Sequence, residues 1–117
     1  MLFVYYPKCG TCKKAKAFLN QQGVAFEERD IVLDPPAESE LRQWQKASGL
    51  PVKKFFNTSG KLYRELELSK KLPGMSEEEQ FALLASDGML VKRPVGVVGN
   101  TVLVGFKEEE WRTVLGI

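Results

Sequence analysis

The spacing of apolar residues at the start of the chain predicts a strand, a helix and a second strand. Residues 2–5 form an apolar run of the length and composition of a buried strand. Apolar positions three and four apart then predict a helix over residues 10–22, with Gly23 ending it in the left-handed conformation. Residues 24–31 are interpreted as a short second strand. These elements form a βαβ unit, whose crossover is expected to be right-handed.

The next segment predicts a helix that packs on this unit. Asp34 precedes two prolines, which are tolerated in the first turn of a helix, so Asp34 is expected to be its cap. The expected inner face holds Leu41, Trp44 and Ala47. Gly49 is expected to end the helix.

The middle of the chain has no strand-like pattern. Residues 62–68 predict a short helix, and the lysine pair at 70–71 is interpreted as part of a loop. Ser76 and Glu79 form a capping box ahead of an apolar run. This signature predicts a helix over residues 77–85.

The last third returns to β structure. Residues 94–98 and 101–104 are rich in valine and are separated by Gly99-Asn100, a two-residue link typical of an antiparallel hairpin. Residues 107–115 predict a closing helix with acidic residues in its first turn.

The complete order is β-α-β, a helical middle, then β-β-α. This order predicts an α/β fold of the thioredoxin-like type: a four-stranded mixed sheet flanked by helices, with a helical insertion at about residues 35–90 between the second and third strands. We expect one domain over residues 1–117, a length that supports one core. Pro94 stands just before the third strand, where such folds place a cis proline.

Composition narrows the function without identifying it. The net charge of +2 is too small to indicate nucleic-acid binding, and no apolar run approaches the ~18 residues of a membrane helix. The chain has no histidine, which excludes a Cys/His or Ser/His catalytic triad. No basic-then-apolar leader precedes the first strand, so we expect a cytoplasmic protein, and a monomer.

The strongest chemical signal is a pair of cysteines where the first strand turns into the first helix. Cys9 and Cys12 are the only cysteines in the chain. A thiol at a helix N-terminus faces unpaired backbone N–H groups and the positive end of the helix dipole, which favour the thiolate. Cys12 lies one turn on and can reach back to Cys9, while Lys8 and Lys13 add positive potential. The spacing predicts a redox pair.

Two other interpretations of this pair remain. A structural zinc site needs about four ligands, and with no histidine and no third cysteine only carboxylates are left to complete one. The two cysteines could also be buried apolar residues, although the segment around them is polar and contains glycine and proline. We therefore expect no bound metal.

Three segments carry a resemblance to a known family. They are residues 6–15, residues 56–60 with Tyr63, and Lys92-Arg93-Pro94-Val95. In these segments, and along essentially its whole length, the chain resembles the arsenate reductase/Spx family of thioredoxin-like proteins. The resemblance implies a nucleophilic Cys9 and an oxyanion-binding Arg93.

The resemblance is incomplete at the oxyanion site. Arsenate reductases use further arginines, and Asn57 and Gly105 stand about where two of them are expected, with Lys107 nearby. Neither asparagine nor glycine supplies the planar fork of donors that arginine offers to an oxyanion. Cys12 adds a second thiol that the single-cysteine enzymes do not need in this loop. We therefore expect weak or no arsenate reduction.

The leading hypothesis is a thiol–disulfide oxidoreductase or arsenate reductase-like protein without a bound cofactor, which uses glutathione or thioredoxin as its thiol donor. Cys9 is then the nucleophile and Cys12 the resolving thiol. The residues expected to stabilise the thiolate or the substrate are Lys8, Thr11, Lys13, Arg93 and Pro94.

The alternative hypothesis is an Spx-like redox-gated regulator that binds the C-terminal domain of the RNA polymerase α subunit. In that branch of the family a glycine in the helical segment belongs to the contact, and Gly49 is the nearest candidate. On its position alone, this glycine is better explained as an ordinary helix C-cap.

Overall fold

One mixed β-sheet organises the structure, a computed structural model that describes residues 1–117. Its strands are β1 (Leu2–Tyr5), β2 (Glu27–Asp30), β3 (Val95–Val98) and β4 (Thr101–Val104), in the order β2-β1-β3-β4. Strand β1 pairs parallel with β2 and antiparallel with β3, and β3 and β4 form an antiparallel hairpin. The predicted thioredoxin-like sheet is confirmed.

Six helices surround the sheet. They are α1 (Gly10–Gln21), α2 (Glu38–Ser48), α3 (Lys61–Glu65), α4 (Leu68–Lys71), α5 (Glu77–Ser86) and α6 (Glu108–Leu115), with short 3-10 turns at Val52–Phe55, Leu72–Gly74 and Gly88–Leu90. Helices α1, α5 and α6 agree with the sequence prediction to within a residue at each end. None of the helices combines the length and the apolar character needed to cross a membrane.

The two faces of the sheet bury separate apolar clusters. Phe3 and Leu103 pack with Trp111 of α6 and with α1 on one face. Val4 and Val95 lie on the opposite face, against the helices of the insertion. Because side chains alternate along a strand, β1 and β4 each contribute to both clusters, with Val102 of β4 on the same face as Val4. The sheet therefore holds the insertion on one side and the cysteine-bearing helix on the other.

Helix α2 begins later than predicted, at Glu38, because Asp34 is engaged elsewhere. The Arg29 side chain donates to the Asp34 carbonyl oxygen at 2.9 Å and lies 3.2 Å from its carboxylate. Glu40 caps the first turn of α2 instead, because its carboxylate accepts a hydrogen bond from the Ala37 N–H at 3.1 Å. The same carboxylate binds Arg29 through both oxygens, at 2.7 and 2.9 Å. This bidentate pair ties α2 to β2, and the expectation that Asp34 caps the helix was wrong.

The inner face of α2 also differs from the prediction. Leu41 and Trp44 are buried as expected, but Ala47 is exposed and Ser48 is half-buried instead. Two turns of an α-helix span about seven residues, so position 48, seven after 41, returns to the inner face more closely than position 47 does. Position 47, a further three residues after 44, is rotated away from this face.

The helix predicted over residues 62–68 is divided in two. Glu67 has a backbone φ of 53°, in the left-handed region, which ends α3 and sets the start of α4. The lysines at 70–71 therefore lie in α4 and not in a loop. Non-glycine residues rarely adopt this conformation and no residue type marks where they do, so the break between α3 and α4 was not predicted from the sequence.

Strand β2 is shorter than the predicted 24–31. The Val24 N–H donates to the Leu19 carbonyl oxygen at 3.0 Å and closes the end of α1, after Gly23 in the left-handed conformation. Val24 therefore belongs to the end of α1 and not to β2. Likewise β3 begins at Val95, because proline at position 94 has no N–H to donate to a neighbouring strand.

Candidate functional site

Cys9 occupies the N-cap position of α1. Its backbone is extended, with φ −84° and ψ 121°, and its Sγ accepts a hydrogen bond from the Cys12 N–H at 3.4 Å. The Cys9 N–H donates to the Tyr6 carbonyl oxygen at 3.0 Å, which closes the turn between β1 and the helix. Cys9 is half-buried, whereas Cys12 is only 1% exposed, and both thiols are free. The accessible thiol is therefore the one aimed at the helix N-terminus.

The surroundings push the acidities of the two thiols apart. Burial opposes ionisation of Cys9, but hydrogen bonds from the Cys12 thiol and from the Cys12 and Thr11 N–H groups, with the charge of Arg93, hold its pKa below the ordinary value. Burial raises the pKa of Cys12 to about 12, and the neighbouring Cys9 adds to this rise. Cys9 is thus suited to attack as a thiolate, and Cys12 stays protonated until a base takes its proton.

Alkylation against pH checks this asymmetry. In a Cys12→Ser variant, which keeps a donor beside Cys9, the reaction of Cys9 with iodoacetamide should have its midpoint below the ~8.5 of an unperturbed thiol. In Cys9→Ser, Cys12 should resist alkylation through pH 9. The matched Cys12→Ala variant removes the side-chain donor and should raise the Cys9 midpoint. A Cys9 midpoint at or above ~8.5 would contradict the assignment of Cys9 as the activated thiol.

Arg93 lies close to this turn. The Arg93–Pro94 peptide bond is cis, as predicted. The Arg93 guanidinium carbon lies 5.1 Å from the centre of the Tyr6 ring, and its Nη1 donates to the carbonyl oxygens of Met89 and Val91 at 3.4 and 3.5 Å. Its Nε is buried and has no partner. These contacts hold the guanidinium beside the thiols, where its charge stabilises the Cys9 thiolate.

The insertion is fastened to the segment that carries Arg93. Phe56 and Val91 form an isolated antiparallel bridge. The Asn57 N–H donates to the Leu90 carbonyl oxygen at 2.8 Å, and the Lys92 N–H donates to that of Phe55 at 2.7 Å. This short ladder fixes the loop after Phe56 next to Arg93, although neither segment belongs to the main sheet.

A cleft of about 790 Å³ opens between these segments and reaches Cys9. Its walls come from the start of α1, from the loop that leads into α3, from the segment before β3 and from the turn after β4. The lining residues that carry polar or charged side chains are Cys9, Thr11, Asn57, Ser59, Lys61, Glu65, Asp87, Lys92, Arg93 and Lys107. The cleft is therefore accessible, is lined mainly by residues with polar or charged side chains, and includes the Cys9 thiol in its wall.

The cleft brings together some of the residues chosen from sequence and leaves out others. Thr11 and Arg93 line it with Cys9, while Pro94 is buried behind it and accepts the Gly105 N–H at 2.8 Å through its carbonyl oxygen. Lys8 and Lys13 are exposed but do not line the cleft.

Gly49 lies outside the cleft. It ends α2 with φ 68°, and its N–H donates to the Gln45 and Lys46 carbonyl oxygens. These are the features of a helix C-cap.

Sequence reasoning missed Lys92 as a site residue. It lines the cleft next to Arg93, and its side chain lies across Gly105: a Cβ placed on Gly105 would be 3.0 Å from the Lys92 Cε and 3.8 Å from its Nζ. The signal was its position in the Lys92-Arg93-Pro94 motif. Asn57 and Gly105, the expected arginine positions, both line the cleft as well. No cluster of three or more His, Cys, Asp or Glu side chains has the proximity of a metal site.

Comparison with known proteins gives a consistent assignment. The ArsC family profile matches residues 4–114. The Bacillus subtilis protein YusI, which is uncharacterised, is 54% identical over 111 residues, covering 95% of this chain and 94% of YusI. The global transcriptional regulator Spx of Streptococcus mutans is 28% identical over 109 residues, covering 93% of this chain and 78% of Spx.

A solved structure agrees with the sequence matches. The crystal structure of an ArsC family related protein from Bacteroides fragilis superposes with a TM-score of 0.94 at 57% identity, covering 97% of this chain and 95% of that one. Fold, sequence profile and relatives point to the same group of proteins. The chain belongs to the ArsC family.

Proposed function

We propose that this protein is a thiol–disulfide oxidoreductase in which Cys9 and Cys12 cycle between dithiol and disulfide. The observation that carries the proposal is the contrast between the two thiols. Cys9 is accessible at the end of a cleft and has a lowered pKa, whereas Cys12 is buried one turn away with a pKa raised to about 12. An exposed nucleophile beside a protected resolving thiol is the arrangement that two-step disulfide exchange requires.

The chemistry balances as a two-electron exchange. The Cys9 thiolate attacks one sulfur of a substrate disulfide, forms a mixed disulfide with it and releases the other half as a thiolate. That thiolate accepts the Cys12 proton, and the Cys12 sulfur then attacks Cys9. The second half of the substrate leaves as a thiolate, and the protein is left with a Cys9–Cys12 disulfide. One substrate disulfide is reduced to two thiols, and the two protein thiols are oxidised.

An external thiol must return the protein to its dithiol form. Glutathione or thioredoxin would do so by the same exchange in reverse, because each supplies the two electrons as thiol groups. The Arg93 guanidinium and the N-terminal N–H groups of α1 would stabilise Cys9 as leaving group in this direction, just as they stabilise it as nucleophile.

A single-turnover experiment tests the proposal. Fully reduced protein is mixed with one equivalent of bis(2-hydroxyethyl) disulfide and analysed by intact mass and by peptide mapping. We expect two equivalents of 2-mercaptoethanol and a Cys9–Cys12 disulfide, detected as the loss of two hydrogens from the protein. Protein that stays a dithiol, or that stops at the mixed disulfide, would contradict the two-thiol cycle.

Arsenate reduction should be weak or absent. Of the arginine positions that the family resemblance implies, only Arg93 is filled, while Asn57 and Gly105 occupy the others. A steady-state assay with glutathione/glutaredoxin and with thioredoxin as donors checks this expectation. Turnover near ~10 per second, an ordinary enzyme rate, would contradict it. The Asn57→Arg variant restores one fork of donors at the cleft and should increase whatever rate remains.

A second candidate function follows from the Spx relative. That protein is called a global transcriptional regulator, and this chain aligns with 78% of its length. On this reading, redox change at Cys9 and Cys12 alters affinity for the C-terminal domain of the RNA polymerase α subunit, with Gly49 in the contact. A disulfide can gate binding only if the two redox forms differ in affinity.

Calorimetry separates the two candidates. We expect no strong binding of the isolated α C-terminal domain to either redox form, because Gly49 has the hydrogen bonds of an ordinary helix end and lies outside the cleft. A redox-dependent complex with a micromolar dissociation constant, equivalent to about −8 kcal/mol, would favour the regulator.

A further inference from the structure

The charged groups around the cleft are not balanced. Four basic side chains and two acidic ones line it. Lys61 and Glu65 pair with each other at 3.7 Å, and Asp87 uses one carboxylate oxygen to accept the Met89 N–H at 2.8 Å. The remaining cations, Lys92, Arg93 and Lys107, take part in no ion pair. The cleft that Cys9 lines therefore presents three positive groups that form no ion pair.

The absence of a side chain at Gly105 leaves room for one of these cations, Lys92. Gly105 has a φ of 77°, a conformation that residues with side chains rarely adopt, and a Cβ on it would be in tight contact, at 3.0 Å, with the Cε of Lys92. A residue with a side chain at position 105 would be strained and would displace Lys92. Gly105 stands where the family resemblance implies an arginine, and the absence of a side chain there leaves room in the cleft for Lys92.

This exchange changes which anions the cleft can bind. A tetrahedral oxyanion is best held by the planar forks of several arginines, but here only Arg93 provides a fork, and its Nη1 already donates to two carbonyl oxygens. Lysine ammonium groups are compact point charges on flexible stems, with no fixed fork. Two of them in the cleft that Cys9 lines suit a single carboxylate attached to a flexible substrate.

We infer that Lys92, together with Lys107, forms a carboxylate subsite in the cleft that Cys9 lines, and that the cleft selects low-mass disulfides bearing a carboxylate. The inference names a substrate class for the proposed oxidoreductase and rests on it for the disulfide chemistry. The subsite itself does not depend on redox turnover, so it is testable separately.

Alkylation with a charged and a neutral reagent tests the subsite alone. Iodoacetate and iodoacetamide each transfer a two-carbon group to the Cys9 thiolate and release iodide, and only the first carries a carboxylate. In a Cys12→Ser background both reagents react with the same Cys9 thiolate, so the ratio of their rates does not depend on the fraction of Cys9 that is ionised. It should exceed the ratio for free 2-mercaptoethanol, and should fall toward it as salt shortens electrostatic range from about 30 Å at 0.01 M to about 3 Å at 1 M.

Variants of Lys92 assign the selectivity to its charge. Lys92→Gln should lower the iodoacetate-to-iodoacetamide ratio about threefold, as expected for one partly exposed charge pair. Lys92→Arg should keep the ratio, and Lys46→Gln, the same change on an exposed lysine of α2 outside the cleft, should not alter it. An equal fall in both rates, or a ratio unchanged in Lys92→Gln, would overturn the subsite.

A charge series of disulfides tests the substrate class. The probes are 3,3′-dithiodipropionate, bis(2-hydroxyethyl) disulfide and cystamine, which are similar in size and are anionic, neutral and cationic. We expect kcat/KM to fall in that order with dithiothreitol as reductant, and Lys92→Gln to reduce the spread. Equal rates, or a preference for cystamine, would overturn the inference. If no probe is reduced while the alkylation ratio is selective, the proposed function fails and the anion subsite stands.

Discussion

Replacing Cys9 with serine should reduce disulfide reduction by at least a factor of about 10³, because a serine hydroxyl is not ionised near neutral pH and cannot replace a thiolate as nucleophile. The loss should appear in the first step, so that no mixed disulfide forms with any probe. The measurement is the release of 2-mercaptoethanol from bis(2-hydroxyethyl) disulfide, followed with excess dithiothreitol and corrected for the uncatalysed exchange. Residual turnover within tenfold of the parent would show that Cys9 is not the nucleophile.

The matched change at Cys12 should have a different outcome. Cys12→Ser keeps the backbone N–H that donates to the Cys9 Sγ at 3.4 Å, so the first attack should proceed at a rate within a few-fold of the parent. Without the second thiol the reaction should stop at a mixed disulfide between Cys9 and one half of the substrate, visible as an added mass. Peptide mapping should place that mass on Cys9 alone. Rapid release of both halves would assign resolution to an external thiol and not to Cys12.

The contrast between these variants separates a catalytic pair from two structural cysteines. If both cysteines were purely structural, substitution of the buried Cys12, at 1% exposure, would be the more damaging of the two. The two-step exchange predicts the reverse order for the first step. Thermal unfolding of both variants provides the control, because a loss of activity without a loss of stability belongs to the chemistry.

Much of the sheet could be predicted because its signals are local. The apolar run of β1 and the Gly99-Asn100 link of the hairpin each define their elements without help from distant residues. The capping box at Ser76 works in the same way: its hydroxyl accepts the Glu79 N–H at 3.2 Å, and α5 begins where the motif places it. The position of Cys9 at the N-terminus of α1 also follows from neighbouring residues.

The features that could not be predicted depend on contacts between different elements of the fold. Asp34 is a residue type that often caps helices, but here Arg29 of β2 forms ion pairs with both Asp34 and Glu40, and Asp34 is not the cap. The importance of Lys92 depends on the left-handed backbone of Gly105, thirteen positions later. The spacing of the two cysteines in the sequence identifies the thiols that can react. Which charged side chains line the cleft with Cys9 depends on how several separate segments come together in the fold.

Gly88 connects the fold to the site, and Gly88→Ala should be the most destabilising single-methyl change in the chain's insertion. It begins the 3-10 turn that leads to Lys92 and Arg93. A Cβ at this position would overlap the carbonyl oxygen of Ile31 and lie 3.0 Å from its carbonyl carbon. Ile31 is fully buried, and its N–H donates to the Tyr5 carbonyl oxygen at 2.9 Å. Its backbone therefore cannot move aside without disturbing the edge of the sheet.

We expect Gly88→Ala to lower the free energy of unfolding by about 3 kcal/mol, the upper part of the range for overpacking, and the melting temperature by roughly 10 °C. Urea denaturation and thermal melts followed by circular dichroism measure both. Gly74→Ala is the matched control, since a Cβ there meets nothing within 4 Å and the backbone φ is not positive, so its stability should change by less than about 0.5 kcal/mol. Because the overlap displaces the segment that carries Arg93, the Cys9 alkylation midpoint should also rise in Gly88→Ala. A variant as stable as Gly74→Ala would show that the approach between Gly88 and Ile31 does not hold this segment in place.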